Sequence, residues 1–288
     1  MDHASFTMRE FKFTQQDFET LRDLVYANTG IALAEHKQDM VYNRLARRLR
    51  SLGLDSFSDY LVRLRGGDEA AEAEMAILTN AITTNLTRFF REAHHFAHLR
   101  ETAVPDSLAR IRHGEQRHLR IWSAGCSSGE EPYSIAMTLA EAGALEPGLD
   151  TRILATDLDT DMLARGVAGT YPVEGLEGLP DDLSRRHTEA AETAEGLPAV
   201  QMAQNLRRAI TFKQLNLMHD WPMKGRFDAI FCRNVMIYFD TQTRTWLVER
   251  FLEYLRPGGW LYTGHAESRV VTQSNLASEG RTIYRRVT

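Results

Sequence analysis

The sequence predicts an α/β protein in which a small all-helical N-terminal domain precedes a mostly parallel sheet. Two patterns in the 288-residue chain support this prediction. Apolar residues recur at helical spacing from Thr14 to about Arg65, and from Leu119 onward apolar strands alternate with helices. Such an alternation is typical of βαβ units, whose right-handed crossovers keep neighbouring strands parallel.

The N-terminal part contains amphipathic helices, each with an apolar face that can pack against its neighbours. The apolar residues are Phe18, Leu21, Leu24, Val25, Val41, Leu45, Leu49 and Leu52. Thr14 is predicted to cap the first helix, while Gly30, Gly53 and the pair Gly66-Gly67 separate the helical stretches. These signals predict a helical domain over residues 1–80.

A further helical stretch from Glu69 to Arg100 is predicted to break at Thr83-Thr84-Asn85-Leu86-Thr87. The reason is that β-branched and Asn side chains favour turns and caps over helix interiors. This break places the domain connection in a linker over residues 81–100. The α/β domain is then predicted to occupy residues 101–288.

Within the α/β domain, each apolar run is followed by a helical pattern. LRIWSA precedes a helix from Pro132 to Glu141, RILATD precedes one from Thr160 to Arg165, and FDAIFCRN precedes one from Thr241 to Leu255. LRPGGWLY is predicted to end the last helix at Arg256-Pro257 and to turn through two glycines into a strand, and RTIYRRV supplies a final strand. An acid-rich segment over about 171–208 interrupts the alternation and is predicted to be an insertion.

Composition argues against several classes of protein. The 34 Lys and Arg residues are outnumbered by 39 Asp and Glu residues, and the resulting formal net charge of −5 argues against nucleic-acid binding. No window approaches the roughly 20 apolar residues of a membrane span, and the polar N-terminus lacks a secretory pattern. Cys126 and Cys232 lack metal-site spacing and indicate free thiols in a reducing compartment. We therefore expect a cytoplasmic protein without direct membrane insertion.

Polar residues at the ends of the predicted strands converge on one ligand site, because open α/β sheets bind ligands beyond the carboxyl ends of their strands. After the first strand, Gly125 and Gly129 form a loop that a ligand can approach closely, and Glu130 or Glu131 begins the next helix. A carboxylate at this position would repel a pyrophosphate and attract a cation or an amine. The GxGxxG spacing is absent, although a dinucleotide oxidoreductase stays open as a minor alternative.

Three further strand ends contribute polar groups. Asp157 can accept hydrogen bonds from two ribose hydroxyls, the alternative being that it caps the following helix. Asn216 in KQLNLM and the pair Arg233-Asn234 after FDAIFC are the others. Acids at both the glycine loop and the ribose position, without a P-loop lysine, resemble the site of class I S-adenosylmethionine-dependent methyltransferases.

Six runs extend this resemblance to one family, the chemotaxis receptor glutamate methyltransferases known as CheR. The runs are HKQDMVYNRLARRLRSLG, TTNLTRFFREAHHF, WSAGCSSGEEPYSIAM, ATDLDTDML, FDAIFCRNVMIYFD and LRPGGWLYTGHAE. The resemblance implies a helical N-terminal domain and a Rossmann-like class I methyltransferase domain with a small inserted β-subdomain. It also implies S-adenosyl-L-methionine as cofactor and methyl esterification of glutamates on the cytoplasmic signalling helices of methyl-accepting chemotaxis receptors.

The resemblance also implies roles for individual residues. Positions expected at the cofactor are Asn85, Thr87, Arg91, Gly125, Glu131, Asp157, Asn216, Leu217, Asn234 and Val235. Glu131 would hold the methionine end and Asp157 the ribose. Residues 216–217 would lie beside the adenine and residues 234–235 near the methyl group.

Arg91 and Tyr238 are the candidates for orienting the substrate carboxylate. An ionised glutamate is already a nucleophile, so positioning matters more than a general base, and the planar fork of an arginine suits a carboxylate. The alternatives are an ordinary ion pair for Arg91 and a core position for Tyr238.

The helix from Asp39 to Leu52 carries a local basic surface. Within residues 37–50, Lys37 and four arginines oppose only Asp39. The arginines are Arg44, Arg47, Arg48 and Arg50. By itself this pattern is equally well explained as a solvated helix face, whereas with the resemblance it predicts docking onto an acidic stretch of a receptor helix.

Three expectations concern other sites and partners. His94 and His98 lie four apart on a predicted helix, but the sequence offers no third ligand, so no metal is expected. Some family members bind a receptor's C-terminal pentapeptide through a β-subdomain loop with a Gly-x-Gly element. Here Gly196 stands alone before Leu197-Pro198, so binding of this tether is not expected. The alternative functions are a non-catalytic S-adenosylmethionine-binding receptor adaptor and a nucleic-acid amino-methyltransferase.

Overall fold

A computed structural model of the chain describes residues 9–267 and 275–287. The chain divides into two units, and the boundary lies between Thr84 and Asn85. The first unit is helical, whereas the second is built around a mostly parallel sheet. The predicted fold class, α/β with an all-helical N-terminal part, is therefore confirmed.

The helical unit contains four α-helices. They are α1 (Gln15–Thr29), α2 (Gln38–Leu52), α3 (Phe57–Leu64) and α4 (Glu69–Ile82). Thr14 caps α1 as predicted, because its hydroxyl accepts from the Asp17 amide at 3.1 Å while Asp17 Oδ2 accepts from the Thr14 amide at 2.8 Å. Gly30 and Gly53 end α1 and α2 with left-handed backbone, at φ 71° and 65°.

The second unit has a seven-stranded sheet in the order β6-β2-β1-β7-β8-β10-β9. Its strands are β1 (Leu119–Ala124), β2 (Thr151–Asp157), β6 (Ile210–Gln214), β7 (Phe227–Cys232), β8 (Leu255–Thr263), β9 (Leu276–Gly280) and β10 (Ile283–Arg286). The first five strands in this order pair in parallel, and β10 pairs antiparallel with both β8 and β9. Every residue of β7 is buried, as expected for a strand covered on both faces.

Helices connect the strands of this unit. They are α5 (His94–His98), α6 (Val104–Arg112), α7 (Glu130–Glu141), α8 (Thr160–Ala168), α9 (Asp181–His187), α10 (Gln204–Ala209) and α11 (Thr241–Tyr254). A π-helical turn, Leu99–Ala103, joins α5 to α6. Gly169, in left-handed backbone at φ 60°, ends α8.

The predicted helix end at Arg256-Pro257 is wrong, because α11 ends at Tyr254 and β8 begins at Leu255. The register between β7 and β8 shifts between Phe227 and Ala229, opposite the glycine pair. Gly258 takes φ 71° there, and such a bulge lets the strand continue through residues that resemble a turn in the sequence.

The insertion forms a second, three-stranded antiparallel sheet. Its strands are β3 (Thr170–Pro172), β4 (Thr188–Glu192) and β5 (Pro198–Met202), in the order β3-β5-β4. A tight turn joins β4 to β5, in which the Gly196 amide donates to Thr193 O at 2.9 Å. Within the described ranges, no helix combines the length and apolar character needed to cross a membrane.

Candidate functional site

The carboxyl ends of β1, β2 and β7 lie at one edge of the parallel sheet, and the candidate residues follow these ends. β1 lies between β2 and β7 with Ala124 opposite Thr156 and Ser123 opposite Phe231. The loops that leave these strands therefore start side by side, which is where parallel sheets bind ligands.

The glycine loop after β1 requires glycine at both predicted positions. Gly125 takes φ 84°, its amide donates to Thr156 O at 2.8 Å, and a Cβ placed on it would lie 2.2 Å from Val235 Cγ2. Gly129 takes φ 101°, and a Cβ there would lie 2.9 Å from Gly166 Cα. The loop thus packs directly against Val235 in the loop after β7 and against α8.

Asp157 ends β2 and holds the glycine loop. Its Oδ2 accepts from the Ser127 amide at 2.7 Å, and its Oδ1 accepts from the Asp159 amide at 2.9 Å. The alternative in which Asp157 caps the next helix is wrong, because Asp159 caps α8 by accepting from the Asp161 and Met162 amides. Burial raises the pKa of Asp157, although the backbone amides that it accepts from act in the opposite direction.

Asn85 lies beside the residues that follow β2. Its side-chain amide donates to Asp159 Oδ2 at 2.8 Å, so the start of the second unit is tied to the end of β2. Thr87, two residues later, is half-buried.

Glu131 lies in the first turn of α7 and accepts from two groups on neighbouring strands. Ser123 Oγ donates to it at 2.7 Å and Arg233 Nη1 at 3.1 Å. Burial raises the pKa of Glu131, while the adjacent Arg233 guanidinium opposes that shift. Arg233 was predicted to lie at a strand end but was given no role; the sequence feature that indicates one is a charged residue directly after an apolar strand.

Arg91 lies between two residues with left-handed backbone, Phe90 at φ 49° and Glu92 at φ 58°. Its own Nη1 donates to Leu86 O at 2.9 Å, and its carbonyl accepts from Arg233 Nη2. Among the residues that the structure describes, no carboxylate lies within 4.0 Å of the Arg91 guanidinium. The ordinary ion pair considered for Arg91 is therefore not formed within those ranges.

The loop after β7 is shaped by a buried acid that was not among the predicted site residues. Glu267, which is fully buried, accepts from the Asn234 amide at 3.1 Å, the Gly264 amide at 2.5 Å and the Met236 amide at 2.8 Å. Asn234 takes φ 60°, and Val235 faces Gly125. Burial raises the pKa of Glu267, and its backbone donors oppose the shift. The only sequence signal was the acid in the GHAE run.

Tyr238 follows in a short 3₁₀ turn, Met236–Tyr238, where it is half-buried and its amide donates to Val235 O at 3.2 Å. The structure thus brings the segment of Tyr238 to the same loop as Asn234 and Val235.

Asn216 lies just after β6 and turns the chain with its own side chain, since its Oδ1 accepts from the Met218 amide at 2.9 Å. Leu217 is buried, and its carbonyl accepts from Arg250 Nη1 at 3.4 Å. The Arg250 guanidinium lies 4.3 Å from the centre of the Trp221 ring. This cluster stabilises the turn at the edge of the sheet.

The four arginines of α2 differ in what they contact. Arg44 donates to Thr83 O at 2.7 Å and Ile82 O at 3.1 Å, at the end of α4. Arg48 forms a two-pronged pair with the buried Glu74, at 2.9 and 2.7 Å. Arg50 pairs with Glu10 at 2.9 Å, and Arg47 is exposed. Arg44 and Arg48 therefore stabilise the helical unit itself, which leaves Arg47 and Arg50 as the exposed arginines of α2.

The histidines near α5 form hydrogen bonds with separate partners. His94 Nε2 lies 3.0 Å from Arg281 O, His95 Nε2 lies 2.8 Å from Thr282 Oγ1, and His98 Nδ1 lies 3.0 Å from the Tyr262 hydroxyl. Over residues 9–267 and 275–287, no cluster of three His, Cys, Asp or Glu residues is arranged to hold a metal ion.

Comparison with known proteins gives two family matches. Residues 16–83 match the model described as "CheR methyltransferase, all-alpha domain", and residues 85–284 match "CheR methyltransferase, SAM binding domain".

Curated relatives resemble the chain over most of its length. It is 44% identical over 281 residues to chemotaxis protein methyltransferase 2 of Pseudomonas aeruginosa, covering 97% of this chain and 96% of that protein. It is 45% identical over 269 residues to the chemotaxis protein methyltransferases of Salmonella typhimurium and Escherichia coli, covering 93% of this chain and 88% and 89% of theirs.

Proposed function

Because this chain belongs to the CheR methyltransferase family, we propose that it methylates glutamate side chains of chemoreceptor signalling helices. It is a chemotaxis protein methyltransferase whose cofactor is S-adenosylmethionine. The products would be glutamyl methyl esters, formed in the cytoplasm during adaptation. The observation that carries the proposal is Arg91, whose carbonyl accepts from Arg233 at the end of β7 and whose guanidinium has no carboxylate partner among the described residues.

The residues of the site fit the cofactor. The Ser127 hydroxyl lies buried in the glycine loop without a hydrogen-bond partner among the described residues, which suits a polar ligand at that loop. Asp157 has carboxylate oxygens for ribose hydroxyls, and Glu131 offers negative charge for the amino acid end.

The remaining cofactor contacts are assigned to the residues around these two acids. They are Asn85, Thr87, Gly125, Asn216, Leu217, Asn234 and Val235. When bound, the cofactor would supply an electrophilic methyl group on a sulfonium and would leave as S-adenosylhomocysteine, so an ionised glutamate could accept the methyl group without a general base.

The chain's own contribution would be to position and desolvate the substrate carboxylate. Arg91 Nη1 already donates to Leu86 O, which orients the planar group and leaves its other donors for two carboxylate oxygens. Tyr238, fixed near Asn234 by the 3₁₀ turn, would supply a further hydrogen bond. In-line positioning of this kind accounts for large rate gains without acid or base chemistry.

Receptor docking is assigned to Arg47 and Arg50 on α2. Both are exposed, and Arg50 pairs with the exposed Glu10, an ion pair that contributes little in water. An acidic receptor helix can therefore displace it at small cost. The other two arginines of α2 are left out of the docking surface because their donors bind within the helical unit.

Docking is proposed to occur without a C-terminal pentapeptide tether. The β4–β5 turn has a single glycine, Gly196, and Pro198 follows where β5 pairs with Glu192. Glu189 is exposed on β4, the edge strand to which a peptide would add, and it would repel an acidic residue of the tether. Titration with a synthetic tether peptide tests this, and a dissociation constant in the low micromolar range would contradict it.

The proposed activity is tested with methyl-labelled cofactor and membranes enriched in chemoreceptors. Label should appear in the receptor and be released as methanol by mild base, because esters are base-labile. Label that resists base would indicate an N-methyltransferase, and label transferred to nucleic acid would indicate the amino-methyltransferase alternative. Tight binding of S-adenosylhomocysteine and of receptor without transfer would indicate an adaptor.

A further inference from the structure

The segment Phe90–Glu92 is held in an unfavourable backbone conformation. Phe90 and Glu92 both carry a Cβ, yet both have positive φ, at 49° and 58°. Residues with a Cβ avoid this region, so such a conformation persists only where surrounding contacts enforce it. Arg91, the residue proposed to bind the substrate carboxylate, lies between them.

Two contacts from the core of the second unit enforce this conformation. Ser134 Oγ, on α7, accepts from the Phe90 amide at 3.0 Å. Arg233 Nη2, from the end of β7, donates to the carbonyl of Arg91. The contacts act on either side of Arg91 and leave its side chain outside the core.

Arg233 is itself fixed on several sides. Its side chain is only 2% exposed, its Nη1 donates to Glu131 Oε2 at 3.1 Å, and its Nη2 lies 3.5 Å from Glu92 Oε2. Its guanidinium carbon lies 5.4 Å from the centre of the Phe96 ring. One rigid planar group thus joins the strand end, the acid at the start of α7 and the backbone of Arg91.

We propose that Arg233 is a positioning residue that orients Arg91 for the substrate by anchoring its carbonyl to Glu131 and the end of β7. This inference rests on the proposed function. A lysine could not replace Arg233, because a single ammonium on a flexible stem cannot bridge two acceptors with the fixed geometry of a guanidinium. The competing explanation is that Arg233 only stabilises the fold.

A double-mutant cycle separates the two explanations. Arg233→Lys, Arg91→Ala and the combined variant are compared for kcat at saturating cofactor and receptor. If Arg233 acts through Arg91, Arg233→Lys lowers kcat about tenfold alone but less than about twofold in the Arg91→Ala background. Equal fold losses in both backgrounds would overturn the proposal.

Arg256→Lys is the matched stability control. Arg256 also pairs with a buried acid, Asp228, but at the opposite end of β7. Arg256→Lys should lower the unfolding temperature while leaving kcat near the wild-type value. If its kcat falls as far as that of Arg233→Lys, the effect of Arg233 is merely structural and the proposal is wrong.

Hydrogen exchange gives a readout that needs no activity and so distinguishes failure of this inference from failure of the proposed function. In the ligand-free protein, amides of the segment Phe90–Glu92 should exchange faster in Arg233→Lys than in wild type or Arg256→Lys. Unchanged exchange would overturn the proposal even if receptor methylation is confirmed.

Should Arg233→Lys fail to fold, Ser134→Ala loosens the same segment without disturbing a charge. It is expected to show the same faster exchange and the same coupling to Arg91→Ala. If the amides of Phe90–Glu92 exchange at the wild-type rate in Ser134→Ala, and if kcat falls by the same factor with and without Arg91→Ala, the proposal is overturned.

Discussion

Asp157 Oδ2 accepts a hydrogen bond from the Ser127 amide at 2.7 Å, which fastens the glycine loop to the end of β2. Its Oδ1 accepts from Asp159, whose own side chain caps α8 and accepts from Asn85. One carboxylate therefore supports the loop. If Asp157 also binds the cofactor, the same carboxylate must accept hydrogen bonds from the ribose hydroxyls. That double use makes the residue a sensitive test of the cofactor assignment.

Asp157→Asn is expected to weaken S-adenosylhomocysteine binding by about 1.5–3 kcal/mol, because hydrogen bonds to a charged acceptor become bonds to a neutral amide. Calorimetry measures the change. Asp150→Asn, at the other end of the same strand, removes an exposed acid paired with Arg120 and should leave affinity unchanged. Full affinity in folded Asp157→Asn would remove this residue from the cofactor site.

Arg91→Lys is expected to lower receptor-methylation turnover by at least about tenfold, while cofactor affinity changes much less. Lysine retains the positive charge but not the planar fork that binds both oxygens of a carboxylate. Steady-state kinetics and calorimetry on the same preparation separate the two effects. Retention of full turnover would show that two-point binding of the substrate is not needed.

Charge reversal at Arg47 is expected to raise KM for the receptor and to leave cofactor affinity unchanged. Wild-type KM should also rise with ionic strength, since contacts between exposed charges are screened over about 8 Å at 0.15 M salt. Lys12→Glu makes the same charge change at another exposed position of the helical unit. If both variants raise KM equally, or if salt has no effect, docking is not localised to α2.

His95 should make the protein less stable in acid. It is fully buried, and burial lowers its pKa to about 2, with the neighbouring Arg233 acting in the same direction. The unfolded chain takes up a proton on His95 near pH 6.5 whereas the folded protein does not, so His95 by itself lowers the free energy of unfolding by about 1.4 kcal/mol per pH unit below about pH 5.5. The groups around the ring are Glu92, His94, Arg233, Tyr262, His265 and Thr282.

His95→Gln removes this proton linkage, so its stability relative to wild type should rise as pH falls from 7 to 4.5. Urea unfolding at several pH values measures the difference. The exposed His113 serves as control, and His113→Gln should follow the wild-type pH dependence. If the free energies of unfolding of wild type and His95→Gln change with pH in parallel, His95 is not held neutral.

The sequence predicted the elements that depend on local pattern. The caps Thr14 and Gly53 can be predicted from the residues beside them in the sequence. The apolar run of β7 ends directly before Arg233. Gly125 was predicted to lie under the ligand, and its positive φ and its contact with Val235 explain why no other residue fits there.

What the sequence did not reveal depends on partners distant along the chain. Arg48 has the same character as Arg47 in the sequence, yet Glu74, 26 residues away, draws its guanidinium inward. Likewise, Glu267 acquires its role only because β8 lies beside β7 and places this acid under the Asn234 amide. Helical periodicity carries no information on such pairings.

The central claim is that the chain esterifies receptor glutamates. The most direct measurement is peptide mapping by mass spectrometry of a receptor cytoplasmic fragment incubated with the protein and S-adenosylmethionine. The account predicts that glutamate side chains gain the mass of one methylene, that mild base removes it, and that Arg91→Ala diminishes it. Methylation that survives base on lysine or amide nitrogen, or no methylation while the protein binds S-adenosylhomocysteine and the receptor, would contradict the account.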